Sequence, residues 1–184
     1  DHLVNDTSWS LDPGCGELDI LTGVAGPAAK MGHRLTIVLR SWQANVQWRG
    51  PKPVAAELTV DLDSLEVVRG EGGVTPLTGP ERSVARLNAL KSLNAKKYPQ
   101  VRFTAEDISE TDDGYRLVGS VEIHGTSQPQ TVDLTVVDRG QAWGLSTRIP
   151  LTQSAFGIKP FSLMMGTLRV ADEVTLEFSA THPK

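Results

Sequence analysis

The feature that most constrains this chain is an apolar/polar alternation of period two, repeated along its length. In AELTVDL (56–62), Leu58, Val60 and Leu62 fall on one side and Glu57, Thr59 and Asp61 on the other. Successive side chains of a strand point to opposite faces, so this is the pattern of a strand with one face buried. RLTIVLR (34–40), VRFTAEDI (101–108), YRLVGSVEIH (115–124), QTVDLTVV (130–137), AWGLSTRI (142–149) and DEVTLEFSA (172–180) read the same way. Turn-forming stretches, RGPKP, TDDG, HGTSQP and DRGQ, separate several of them. Short strands punctuated by Gly- and Pro-rich turns predict an all-β sandwich or barrel of about eight to ten strands. A barrel is the expectation, because closure removes the unpaired edges that long antiparallel strands would otherwise present.

One segment has a different period. Between Gly79 and Asn94 the apolar residues Val84, Leu87, Leu90 and Leu93 recur every three positions, and Thr78 with Glu81 has the spacing of a capping box around Pro80. These signals predict a short amphipathic helix over about 79–94. The preceding RGEGGVTPLTG (69–79) reads as a mobile connection outside the sheet, and a shorter helical turn is expected around Gly26–Met31. No repeat or linker divides the chain, and 184 residues suit one domain, 1–184.

Motifs for chemistry are missing from the sequence. The histidines, at 2, 33, 124 and 182, have no His, Cys or carboxylate partner at metal-ligand spacing, and no phosphate-binding loop, dinucleotide fingerprint or nucleophile elbow occurs. The expectation is therefore no metal, no cofactor and no enzymatic activity. His33 and His124 stand at strand ends, where a histidine either fixes a turn or meets a polar ligand head. The lone Cys15 has no disulfide partner and lies between two glycines in a turn-like setting. A net charge of −4 with no basic cluster argues against nucleic acid or an anionic membrane surface as the main partner. No apolar run approaches bilayer-spanning length, and no signal peptide opens the sequence. A cytoplasmic location is favoured on that ground, with a periplasmic or secreted one if Asp1 is a processed end. Trp9, Trp42, Trp48 and Trp143 lie on different strands, either as core anchors or as walls of an apolar pocket.

Taken together, VEIHGTSQPQTVDLTV (121–136), KKYPQVRFTAEDI (96–108), WSLDP (9–13), LDSLEV (62–67) and FGI (156–158) resemble, in order, the YceI-like family of bacterial polyisoprenoid-binding proteins. The sequence departs from the family pattern at Ala155, where an Asp is usual, and in GPERSVARLNALKSL (79–93). The resemblance implies a lipocalin-like antiparallel barrel of about eight strands. It also implies a long-chain isoprenoid, isoprenoid quinone or similar lipid as ligand, bound in an elongated apolar cavity. Alternation inside such a barrel nominates Leu35, Ile37 and Trp42; Leu58 and Val60; Phe103; Val121 and Ile123; Val132 and Leu134; and Leu176 and Phe178 as cavity lining. Phe156, Phe161, Met164 and Met165 belong to the apolar connection before the last strand and are assigned to the mouth, with His33 and His124 as polar head-group contacts. For the loop 159–166 three roles stay open: a lid, a contact in a homodimer, or plain packing. The alternative to lipid binding is a non-enzymatic assembly module that acts through its surface as a homodimer.

Overall fold

The computed structural model describes residues 6–184, so His2 lies outside the described residues. In chain order the elements are β1 (Asp6–Leu11), β2 (Gly16–Leu21), β3 (Val24–Ala25), β4 (His33–Leu39), β5 (Trp42–Arg49), β6 (Lys52–Asp61) and β7 (Leu65–Gly72), followed by α1 (Gly79–Ser92). After the helix come β8 (Gln100–Thr111), β9 (Gly114–Ile123), β10 (Thr126–Asp138), β11 (Ala142–Thr152), β12 (Ser162–Leu163), β13 (Leu168–Val170) and β14 (Glu173–Pro183). Eleven of the strands form one antiparallel sheet in the order β1-β5-β6-β8-β9-β10-β11-β14-β2-β4-β7, and β12-β13-β3 form a small second sheet.

Eleven strands exceed the expected eight because three long strands bend. β4 passes into β5 through Arg40 and Ser41 alone, and β6 passes into β7 through the single 3-10 turn Leu62–Ser64. Pairing continues around this corner: Arg40 N–H donates to Ser64 O (3.3 Å) and Asp61 N–H to Ser41 O (3.0 Å). Side chains pin the bend, with Ser64 Oγ donating to Asp61 O (2.6 Å) and Ser41 Oγ to the Asp61 carboxylate (2.7 Å). Bonds from Ser41 and then Gln100 hold that carboxyl below its usual range. β1 and β2 are likewise one strand broken by the Asp12–Cys15 turn, where Gly14 N–H donates to the Asp12 carboxylate (2.8 Å). Counted as continuous strands there are eight, each paired with its neighbours in chain order, and the circuit of ladders returns through β14–β2 to its start.

This up-and-down order gives the barrel two unlike ends. One end carries tight turns at Gly50–Pro51, Asp112–Asp113 and 139–141. All the long connections leave from the other: 22–32, the helical segment 73–99 and 153–172, together with the tight His124–Gly125 turn.

The helix begins as its sequence dictates, with Thr78 and Glu81 exchanging both bonds of the capping box. The packed face differs from the expected one. Ala85, Ala89 and Leu93 meet the core, whereas Val84 and Leu87 are 56% and 61% exposed. A spacing of three drifts by about 60° per step around a helix, so Val84, Leu87, Leu90 and Leu93 cannot share one face. Positions four apart drift less and form the contact. Arg86 anchors the helix, donating to Leu65 O (2.7 Å) and Asp63 O (2.6 Å) at the bent corner. The glycine-rich run is not wholly outside the sheet, since β7 extends through Gly72 and only 73–78 connect it to α1. The turn expected near Gly26–Met31 is a 3-10 turn at Ala29–Met31. Phe156 and Gly157 of the FGI motif follow β11 directly, in a 3-10 turn over Gln153–Phe156 closed by Gly157 at φ +73°.

Candidate functional site

The inward face of the barrel is apolar on every strand, but it does not collapse into one core. Leu11, Leu18, Ile37, Leu39, Trp42, Val60, Leu65, Val67, Leu145 and Ala180 form the largest cluster, drawn from β1, β2, β4–β7, β11 and β14. Ala105, Leu117 and Val132 form a second on the wall of β8–β10, and Val121, Ile123, Phe156 and Ile158 form a third near the long-connection end. The side chains that bridge them, Val101, Phe103 and Leu134, are only half-buried, as are Leu35, Leu58, Leu176 and Phe178. Inward-facing apolar groups on several strands thus stay partly accessible instead of being fully buried.

The predicted lining residues divide accordingly. Ile37, Trp42, Val60, Val121, Ile123, Val132 and Phe156 are buried within the clusters, while Leu35, Leu58, Phe103, Leu134, Leu176 and Phe178 are half-buried and packed against them. Trp42 has one further property that its sequence position does not disclose. It is 4% exposed and meets Phe178 edge-on (centroids 5.4 Å apart), yet among the described residues its indole N–H has no hydrogen-bond partner. A buried donor left unpaired costs free energy that a ligand acceptor would recover.

The tight-turn end is plugged by rings. Trp9 stacks on His182 (3.9 Å, 2°) and lies 4.9 Å from Trp48, which meets the Tyr115 ring at 86°. Burial, and after it Glu110, raises the Tyr115 pKa. Trp143 lies on the same end with the Lys184 ammonium 4.4 Å over its ring. Three of the four tryptophans thus close a floor, and Trp42 alone stands mid-wall.

At the mouth, motifs far apart in sequence meet. The Tyr98 ring lies 5.1 Å from the His124 ring, and His124 Nδ1–H donates to Phe156 O (3.1 Å). Gln128 Nε2 donates to Ala155 O (2.8 Å), and Leu62 N–H donates to Pro99 O (2.9 Å). His124 adopts φ +58°, and next to it Gly125 has φ +71° with room for no Cβ, which would lie 2.6 Å from Tyr98 Cε1. His33 Nε2–H donates to Thr75 O (2.6 Å), fixing the connection that leads to α1. One nitrogen of each predicted head-group histidine is thus used to hold the rim. Phe161 is half-buried, but Met164 and Met165 are 52% and 104% exposed, so neither lines the interior. Both hold positive φ, +52° and +57°.

A groove of about 400 Å³ opens on the outer face, between β10, β11, β14 and β2. Glu17, Asp19, Asp133 and Glu177 line it with Arg148, which pairs with Glu177. Asp19 is pushed up to about 6, first by burial, then by a hydrogen bond that its protonated form donates to Glu17 and by the charges of Glu17 and Glu177. This polar, charged wall lacks the apolar surface that a lipid needs. Among the described residues no cluster of His, Cys, Asp and Glu is arranged to hold a metal, and no helix is long and apolar enough to cross a membrane.

The pattern described as a YceI-like domain matches residues 11–182. The chain belongs to the YceI-like family. Among curated relatives, a UPF0312 protein of Pseudomonas putida is 25% identical over 127 residues, which are 65% of this chain and 62% of that protein. UPF0312 protein YE1254 of Yersinia enterocolitica is 30% identical over 59 residues, 32% of this chain and 31% of that one. The matches therefore span less than two thirds of these relatives' length. BcnA of Burkholderia cenocepacia superimposes with a TM-score of 0.70 at 21% identity, covering 94% of this chain and 99% of BcnA. The YCEI protein of Campylobacter jejuni does so at 0.60 and 16%, covering 80% and 84%. At these identities the likeness is one of fold, that of a YceI-like barrel. The YceI-like motifs quoted from the sequence, Tyr98-Pro99, His124-Gly125 and Phe156-Gly157, are the ones that meet at the rim, where they fasten the connections.

Proposed function

We propose that this YceI-like chain binds, and so carries or stores, a long apolar ligand such as a polyisoprenoid or isoprenoid quinone inside the barrel. One observation carries the reading: the inward apolar side chains bridging the three clusters, Phe103 and Leu134 above all, are left half-buried. Apolar surface taken out of water returns roughly 25 cal/mol per Å², so an elongated slot holds an aliphatic chain with no catalytic group. The unpaired indole N–H of Trp42 favours a ligand that also bears a hydrogen-bond acceptor, as a quinone carbonyl or an alcohol oxygen does. The reading is of a binder and not an enzyme: both rim histidines donate to backbone carbonyls, and neither pairs with a carboxylate.

The test is extraction of protein purified from its native host with organic solvent, followed by mass spectrometry. About one mole of lipid per mole of protein is expected for a single enclosed slot. The variant Leu134→Trp, which fills the space between the clusters, should fold and release no lipid. A lipid-free extract from wild type, or equal yields from both proteins, would overturn the proposal.

A further inference from the structure

The unit built on the small sheet differs from the rest of the molecule in both charge and surface. It consists of segments 22–32 and 159–171, held together by the β13–β3 ladder, by Ala28 N–H donating to Thr167 O (2.9 Å) and by Val170 N–H donating to Phe161 O (2.9 Å). These segments contain three of the chain's eighteen Lys and Arg, namely Lys30, Lys159 and Arg169, and none of its twenty-two Asp and Glu. The protein is acidic as a whole, yet this tip is purely cationic. All three cations are exposed. The nearest acids in sequence, Asp172 and Glu173, lie at the base of the unit, and Asp172 is engaged by the Ser154 N–H (2.8 Å).

The same tip carries the exposed large apolar side chains Met31, Leu163, Met164 and Met165. Met165 is fully exposed, and it and Met164 hold left-handed backbone conformations that ordinary L residues avoid. Thr167 maintains the turn through its N–H (3.2 Å) and hydroxyl (2.7 Å), both donated to Met164 O. The chain thus spends conformational energy to place unbranched apolar groups in water, among cations, at the open end of the barrel.

We infer that this tip docks the barrel, mouth first, on a negatively charged lipid bilayer surface. Apolar tips enter the boundary between headgroups and acyl chains, while basic side chains around them pair with anionic headgroups. The acidic remainder of the molecule is repelled by the same surface, so charge fixes the orientation as well as the affinity. Docking does not depend on what the barrel holds, and vesicle binding is measured separately from lipid extraction.

Flotation of the ligand-extracted wild-type protein on vesicles of phosphatidylcholine alone, or with one quarter phosphatidylglycerol, tests the inference. Wild type should float with the anionic vesicles at least about tenfold more strongly than with neutral ones, and less so as salt is raised. M164S/M165S should lose about tenfold in binding to anionic vesicles. K30E/K159E should bind anionic and neutral vesicles alike. Because these residues are exposed, circular dichroism and the urea midpoint of both variants should match wild type. Flotation with neither vesicle, or binding unchanged by either double substitution, would overturn the inference. So would a dimer in sedimentation that M164S/M165S dissociates, because the Met surface would then belong to a second copy.

Discussion

The two ends of this barrel solve opposite problems. At the floor, two- and three-residue turns join the strands, and Trp9, Trp48, Tyr115 and His182 stack into a plug. At the mouth, long connections carry a helix, three 3-10 turns and a small sheet, held by the buried Phe156 and Ile158, by histidine-to-carbonyl bonds and by one glycine contact. Aromatic burial is strong and indifferent to small movements, whereas single hydrogen bonds and left-handed residues fix a geometry at modest energy. Stability is therefore concentrated at the floor and adjustability at the mouth.

The contrast can be broken by substitution. Trp48→Ala should cost about 3 kcal/mol in urea unfolding, since it removes a ring packed against two others. A loss below that of any mouth substitution would contradict the division. Gly125→Ala should cost about 2 kcal/mol, because a Cβ at φ +71° is strained and collides with Tyr98. Its sharper readout is faster proteolysis of the 153–172 connection, which hangs on the neighbouring His124; unchanged cleavage would mean that the rim is not held there. The smallest effect concerns the wall joining the two ends. The Asp19 carboxyl is pushed up to about 6 in the folded chain, from the ordinary 3.8 of a solvated Asp, so the folded chain binds that proton more tightly. Its contribution to stability is fully present below about pH 4, falls as pH rises to about 6, and stays low above. Asp19→Asn should gain about 1 kcal/mol at pH 7 to 8, after discounting for solvent screening, and nothing near pH 4. A constant difference across that range would rule out the titration.

Strands and helix start were legible because each is encoded locally. Alternation places Leu58 and Val60 inward whatever they meet, and Thr78 with Glu81 caps the helix without help from elsewhere. The bends were not legible, since the corner at Arg40–Ser41 is made by Ser64 and Asp61, partners twenty or more residues away in the chain. The packed face of α1 was misread for a related reason: two alanines, unremarkable in an apolar count, allow the close approach that Val84 and Leu87 do not make. Within the candidate site, alternation identified residues that pack in or against the apolar clusters, but it could not tell buried from half-buried ones, nor foresee the exposure of Met164 and Met165.

The β14–β2 ladder has a kinetic meaning. Thr175 pairs with Leu21 and Ala180 with Gly16, and beyond them β13 pairs with β3, Arg169 against Ala25. Every other ladder of the main sheet joins strands that follow one another in the chain once the bends are counted, but this seam joins segments roughly 150 residues apart, the costliest loop to close. The meander can zip up strand by strand and must wait for its last strand before it becomes a cylinder. Because the small sheet stitches the upper end of that same seam, the last region to be sewn shut during folding is also the margin of the mouth.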